Sequence, residues 1–132
     1  MELKVGFREL VAQAEAEIET VDAAQALAAA MVAETVFIDL RDIRELWREG
    51  KIPGAVHVPR GMLEFWIDPA SPYHKPLFNE PKRFVFYCNL GWRSALATRT
   101  AQIMGLTNVC HLGGGFAAWC EAGGAVETVT RK

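Results

Sequence analysis

Residues 84–94 of the chain read FVFYCNLGWRS, and the change of pattern within this stretch decides the fold. The apolar run 84–87 predicts a strand that is buried on both faces, and the alanine-containing segment 95–104 predicts a helix. Cys88 stands where the strand ends and the loop begins. Such a loop points N–H groups at a common centre, and the dipole of the following helix adds positive potential there. We therefore expect a site for a thiolate at Cys88.

Helical and apolar segments alternate along the rest of the chain. The patterns predict helices at 7–17, 23–32, 43–49 and 116–121, and extended segments at 18–21, 36–40, 52–59 and 109–112. Four prolines between residues 60 and 83 predict a long ordered excursion with at most short helical turns. This alternation indicates an α/β domain with a mainly parallel sheet and helices on both faces. We expect a leading helix in 1–20, the domain in 21–126 and a loose tail in 127–132.

Length, charge and cysteine content restrict the class of protein. A chain of 132 residues is one domain, and its net charge of -2 offers no basic surface for nucleic acid. The longest apolar stretch, 23–33, is too short to cross a bilayer, and we see no export or lipidation signal. We therefore expect a cytoplasmic protein with reduced cysteines, no nucleic-acid partner and no membrane contact. The sequence does not indicate an oligomeric state.

Metal binding is not expected. Cys110, His111 and Cys120 lack the paired short spacing of zinc ligands. Three cysteines, an odd number, also argue against a disulfide framework. We interpret Cys110 and Cys120 as small buried hydrophobic residues.

The loop after Cys88 contains the parts that nucleophilic chemistry requires. Gly91 allows a positive φ or a close backbone approach, and Arg93 offers a planar fork for two oxygens of an oxyanion. Ser94 can cap the helix or donate a hydrogen bond to sulfur. Together with Cys88, these residues indicate an activated thiolate.

Four motifs in order give the chain a resemblance to a known family. They are 36–42 (VFIDLRD), 51–59 (KIPGAVHVP), 88–94 (CNLGWRS) and 112–119 (LGGGFAAW). The chain resembles the single-domain rhodaneses, or thiosulfate sulfurtransferases, over roughly residues 21–126. This resemblance implies a rhodanese-like three-layer α/β/α fold with a mainly parallel central sheet.

The resemblance also implies an activity. Cys88 would take sulfane sulfur from a small donor, thiosulfate or a persulfide, and pass it from a Cys88 persulfide to a thiol, cyanide or protein acceptor. No metal or organic cofactor is implied. The substrate-binding loop would comprise Asn89, Leu90, Gly91, Trp92, Arg93 and Ser94. Asp39 and Arg41 would brace this loop, and His57 would be a buried hydrogen-bonding residue behind it.

Alternative readings remain at this stage. The loop is similar to that of the protein tyrosine phosphatases, which place five residues between cysteine and arginine. Here four residues separate Cys88 from Arg93. A phosphatase or arsenate reductase is therefore a minor alternative. Leu90 and Trp92 give the loop an apolar rim, which suits a sulfur-relay or protein-interaction module with weak thiosulfate turnover. Arg93 could instead form a surface pair with Glu64 or Asp68.

Overall fold

A parallel sheet of five strands forms the centre of the computed structural model, which describes all of residues 1–132. The strands are β1 (Thr20–Val21), β2 (Thr35–Asp39), β3 (Val56–His57), β4 (Arg83–Tyr87) and β5 (Val109–Leu112). Their order in the sheet is β1-β5-β4-β2-β3, and every pair is parallel. In a parallel sheet the carboxyl ends of all strands lie at one edge, where Cys88 follows β4.

Helices cover both faces of the sheet. They are α1 (Phe7–Glu15), α2 (Ala23–Ala29), α3 (Ile43–Glu49), α4 (Leu63–Ile67), α5 (Trp92–Ile103) and α6 (Gly115–Glu121). Because side chains of a strand alternate between faces, Phe84 and Phe86 pack with residues of α4 and α5, while Val85 and Tyr87 pack with residues of α2 and α6. The predicted three-layer α/β/α fold is therefore confirmed.

The N-terminal helix lies on the outside of α5. Val11 and Ala14 of α1 are buried against Ala95, which joins these two helices in a small core of their own. The helix ends at Glu15, two residues before its predicted end. The leading helix thus packs on the domain through the helix that follows Cys88.

Most predicted elements are present with shifted ends. The predicted cap of α2 is confirmed, because Asp22 accepts a hydrogen bond of 2.8 Å from the backbone of Gln25, but α2 ends at Ala29 and not at residue 32. The helix α3 spans its predicted range. The excursion 60–83 contains only the five-residue α4 and two short 3-10 turns, Arg60–Met62 and Pro76–Asn79, as expected.

The C-terminal tail is not loose, contrary to our expectation. Lys51 and Glu127 form an antiparallel bridge whose two backbone hydrogen bonds measure 3.0 and 2.8 Å. The guanidinium of Arg131 lies 4.9 Å from the ring centre of Trp47. Both contacts attach residues 127–132 to the segment around α3. None of the helices combines the length and the apolar character that crossing a membrane would require.

Candidate active site

Cys88 lies at the centre of the loop that joins β4 to α5. Its side chain is buried, with 1% of the residue's surface exposed. The backbone N–H groups of Gly91 and Ser94 point at Sγ, with N···S distances of 3.2 and 3.4 Å. Ser94 Oγ lies 3.6 Å from the same sulfur. Three polar groups therefore converge on Sγ in a place that excludes most water.

The helix α5 begins inside the loop, three residues earlier than predicted. Gly91 is its N-cap with φ +98°, a conformation that favours glycine, and the helix proper starts at Trp92. Ser94 consequently lies in the first turn and does not cap the helix, as the sequence suggested it could. The first N–H groups of a helix have no intrahelical partner, and that of Ser94 is directed at Cys88 Sγ.

The helix α6 holds the loop from its other side. The N–H of Phe116 donates to the carbonyl of Cys88 at 2.8 Å, and that of Ala117 donates to Asn89 at 3.2 Å. Gly115 makes this approach possible, because a Cβ at this position would collide with the backbone of Asn89. The φ of Gly115 is +61°, a conformation that also favours glycine. Gly115 thus allows the start of α6 to fix where Cys88 and Asn89 lie.

Arg93 forms a bidentate ion pair with Glu45 of α3. Nη1 lies 2.8 Å from Oε2 and Nη2 lies 3.0 Å from Oε1. The alternative prediction, a surface pair of Arg93 with Glu64 or Asp68, is wrong. Glu64 pairs with Arg60 at 2.9 Å, and Asp68 accepts a hydrogen bond from the backbone of Ala70. The Arg93 hydrogen bonds lower the pKa of Glu45, and Glu45 in turn raises the pKa of Arg93.

Asp39 and Arg41 form a buried pair at the end of β2. Arg41 donates to Asp39 through Nε at 3.0 Å and Nη2 at 2.8 Å, and Nη2 also donates to the carbonyl of Gly50 at 2.7 Å. The Arg41 guanidinium lies 4.3 Å from the ring centre of Phe116. Burial, followed by the charge of Asp39, raises the pKa of Tyr87 far above its ordinary value. This group therefore contacts the end of β4 through Tyr87 and the start of α6 through Phe116.

His57 belongs to the same group as the Asp39–Arg41 pair. The residue is half-buried, less than the sequence led us to expect, and its Nε2 lies 2.7 Å from the carbonyl oxygen of Arg41. The side chains of Asp39, Arg41 and His57 make no hydrogen bond to residues 88–94. The structure thus brings Cys88 together with Gly91 and Ser94, and keeps the three expected supporting residues one layer away.

His111 is a polar neighbour of the site that sequence analysis did not assign to it. Its Nδ1 lies 2.9 Å from Ser94 Oγ, and its Nε2 lies 3.1 Å from Thr20 Oγ1 and 3.8 Å from Glu15. Burial lowers the pKa of His111 from 6.5 to about 4, so the ring is neutral at pH 7. One signal was available: a histidine stands inside the otherwise apolar strand β5.

Apolar side chains surround the entrance to the loop. Leu90 and Trp92 are exposed, and the ring of Phe7 from α1 lies 4.8 Å from that of Trp92. The guanidinium of Arg8 lies 5.5 Å from the Trp92 ring centre. We call Phe7, Leu90 and Trp92 the apolar mouth. The predicted apolar rim is therefore present, and the N-terminal helix extends it.

The sequence also matches a known domain. The rhodanese-like domain aligns with residues 22–122, which is more than half of the chain. The chain belongs to the rhodanese-like domain family. The matched range spans the elements from α2 to α6 and includes the Cys88 loop between β4 and α5.

Two curated proteins resemble this rhodanese-like chain at 30% identity. One is the thiosulfate sulfurtransferase/rhodanese-like domain-containing protein 3 of Mus musculus, aligned over 65% of this chain and 58% of its own length. The other is the thiosulfate:glutathione sulfurtransferase of Homo sapiens, aligned over 59% of this chain and 73% of its own length. The chain therefore spans little more than half of the mouse relative.

A solved structure resembles the chain over nearly its whole length. It is a protein of unknown function from Rhodopseudomonas palustris CGA009, described as a possible tyrosine phosphatase. The two share 51% identity with a TM-score of 0.93, and the alignment covers 96% of this chain and 98% of that one.

Proposed function

We propose that this rhodanese-like domain is a sulfurtransferase in which Cys88 carries sulfane sulfur as a persulfide. The observation that supports this most is the placement of a buried Sγ where the N–H groups of Gly91 and Ser94 converge at 3.2 and 3.4 Å. These donors and the first turn of α5 stabilise a sulfur anion. The names of the two curated relatives agree with this chemistry.

The proposed reaction has two steps. The Cys88 thiolate attacks the outer sulfur of the donor, so that a new S–S bond forms while the donor's own S–S bond breaks. The bonding electron pair leaves with sulfite or with a thiolate, depending on the donor. A thiol, cyanide or protein acceptor then attacks the outer sulfur and releases the Cys88 thiolate. Sulfur moves without a net change of oxidation state, so no cofactor is needed.

The surrounding residues have proposed roles in this cycle. The loop from Asn89 to Ser94 would hold the outer sulfur of the persulfide through its N–H groups. Asp39, Arg41 and His57 would support the loop at a distance, through the end of β4 and the start of α6. Ser94 would contact the sulfur directly, since its backbone and its hydroxyl both lie beside Sγ.

Loss of sulfur transfer in Cys88→Ser tests this proposal. Cyanide-dependent thiocyanate formation should disappear in Cys88→Ser and remain in Cys110→Ser, which removes another buried cysteine. Intact-mass spectra after incubation with a donor should show the gain of one sulfur atom in the wild type and in Cys110→Ser alone. A wild type that forms neither thiocyanate nor a persulfide would refute the proposal.

The same spectra, together with the rate of thiocyanate formation, separate an enzyme from a sulfur relay. The exposed apolar mouth favours a protein partner, because apolar groups at an entrance bind apolar partners. A relay would form a stable Cys88 persulfide yet turn over thiosulfate and cyanide slowly. Rapid turnover with both small molecules would favour the enzyme.

A phosphatase is the second candidate, favoured by the description of the Rhodopseudomonas palustris protein. Two features of this chain oppose it. Only four residues separate Cys88 from Arg93, and Arg93 already holds the Glu45 carboxylate. Hydrolysis of p-nitrophenyl phosphate that is lost in Cys88→Ser, without any persulfide formation, would establish the phosphatase instead.

A further inference from the structure

The Glu45 carboxylate is bound to the only cationic side chain of the loop, that of Arg93. Arg93 is the only charged residue between Cys88 and Ser94, and both of its terminal nitrogens bind the two oxygens of one carboxylate. A sulfonate or thiosulfate group would need the same fork of donors. In the structure this fork is filled from within the chain.

The Glu45 carboxylate is itself held in place. It is the third residue of α3 and accepts a hydrogen bond of 2.8 Å from the backbone N–H of Asp42, whose side chain accepts one from Arg44 in return. Only 17% of the Glu45 side chain is exposed. Because the carboxylate is fixed by this capping arrangement, it does not leave Arg93 merely by rotating into solvent.

The rest of the entrance favours an organic group over an inorganic dianion. Leu90 and Trp92 project from the loop, and Phe7 packs against Trp92. A dianionic donor would find Arg93 already paired with Glu45, and the nearby guanidinium of Arg8 lies against the Phe7 and Trp92 rings, at 5.0 and 5.5 Å from their centres. A persulfide R–S–SH would present a terminal sulfur to Cys88 and place its organic group against the apolar mouth.

We propose that Glu45 is a specificity-determining residue, which by holding Arg93 directs Cys88 toward organic persulfide donors and away from thiosulfate. This inference rests on the proposed sulfur transfer. In the reaction the Cys88 thiolate attacks the outer sulfur of R–S–SH and forms a new S–S bond, the S–S bond of the donor breaks, and R–S⁻ leaves with the electron pair. The leaving thiolate takes a proton from solvent, so atoms and electrons balance.

The variant Glu45→Gln separates the two donors. Glutamine can still accept the Asp42 hydrogen bond, but it has no charge and offers Arg93 one acceptor in place of two. We measure the second-order rate constant of Cys88 persulfide formation by quenched intact-mass spectrometry, with thiosulfate and with the persulfide of 2-mercaptoethanol. The thiosulfate rate constant should rise about tenfold or more, as expected when a charge-assisted pair is released. The rate constant for the organic persulfide should stay within about twofold.

Two further variants make the test specific. Glu34→Gln removes the same charge from an ion pair with Lys82 at the far edge of the sheet, and it should change neither rate constant. In Glu45→Gln combined with Arg93→Met the gain with thiosulfate should vanish, because no free fork remains. Glu45→Ala releases Arg93 without any cap and should reproduce the gain if Glu45→Gln folds poorly.

The outcomes are distinguishable. A wild type that reacts with the organic persulfide, together with an unchanged thiosulfate rate constant in Glu45→Gln and Glu45→Ala, overturns the role of Glu45 and leaves the proposed function intact. A wild type in which neither donor modifies Cys88 overturns both.

Discussion

Replacement of His111 by glutamine tests how the buried support of the site responds to pH. The imidazole is fully buried between Ser94 and Thr20, and Glu15 is the one acidic side chain within 4 Å. Burial lowers the pKa of His111 to about 4, whereas in the unfolded chain the ordinary value of 6.5 applies. Between these two values the unfolded chain binds a proton that the folded chain does not bind.

The sign and size of the effect follow from this difference. Where the unfolded state binds more protons, the free energy of unfolding falls as the pH falls, by about 1.4 kcal/mol per pH unit. The contribution of His111 to stability is therefore complete above pH 6.5 and is lost as the pH falls toward 4. Relative to a group that does not titrate, the wild type should lose about 1 kcal/mol between pH 7 and 5.5, and about 3 kcal/mol between pH 7 and 4.

Urea unfolding of the wild type and of His111→Gln at several pH values measures this contribution. Carboxylates such as Glu45 also lose stabilising interactions in acid, but they are common to both proteins, so the difference in unfolding free energy isolates His111. We expect the unfolding free energy of the wild type, minus that of His111→Gln, to fall by about 3 kcal/mol from pH 7 to 4. A difference that stays constant within about 0.5 kcal/mol over this range would refute the argument.

Two further predictions concern the scaffold of the loop. Gly115→Ala should destabilise the protein by more than about 2 kcal/mol and slow persulfide formation, since its Cβ would collide with the Asn89 backbone. Gly61→Ala, whose Cβ meets nothing within 4 Å, is the matched control, and equal melting temperatures for the two variants would contradict this reasoning. Tyr87→Phe should cost about 1–3 kcal/mol, because the buried N–H of Ile52 loses the hydroxyl acceptor at 3.1 Å, and urea unfolding at neutral pH measures this loss. An unfolding midpoint unchanged from the wild type would show that this N–H finds another partner.

The features predicted well from the sequence are those that depend on local pattern. Three examples are the strand before Cys88, the cap at Asp22 and the helix α3. Each depends on residues that are neighbours in the sequence, so the sequence predicts its position to within a few residues. Arg93 shows the limit. Its partner Glu45 lies 48 residues earlier, and the two meet only because β2 and β4 are neighbours in the sheet. Glu64 and Asp68, which are nearer to Arg93 in the sequence, are not its partners.

His111 was missed for a related reason. Within the strand β5 it is one polar residue among apolar ones, and nothing local says which face it occupies. Its contact with Ser94 depends on the register of β5 beside β4, which sequence patterns do not fix. The tail was misjudged because the partner of Glu127, Lys51, is distant in the chain.

The pairing of β1 with β5 has a consequence for how the protein acquires its site. Thr20, which accompanies His111 behind Ser94, is separated from it by 91 positions, so the first and the last strands of the chain must both be in place before this support exists. Loop closure over such a distance is slow and comes late in folding. A chain in which β1 has not yet paired with β5 therefore lacks the Thr20 contact that supports His111 behind Ser94. Persulfide formation at Cys88 should appear together with the last cooperative step of refolding.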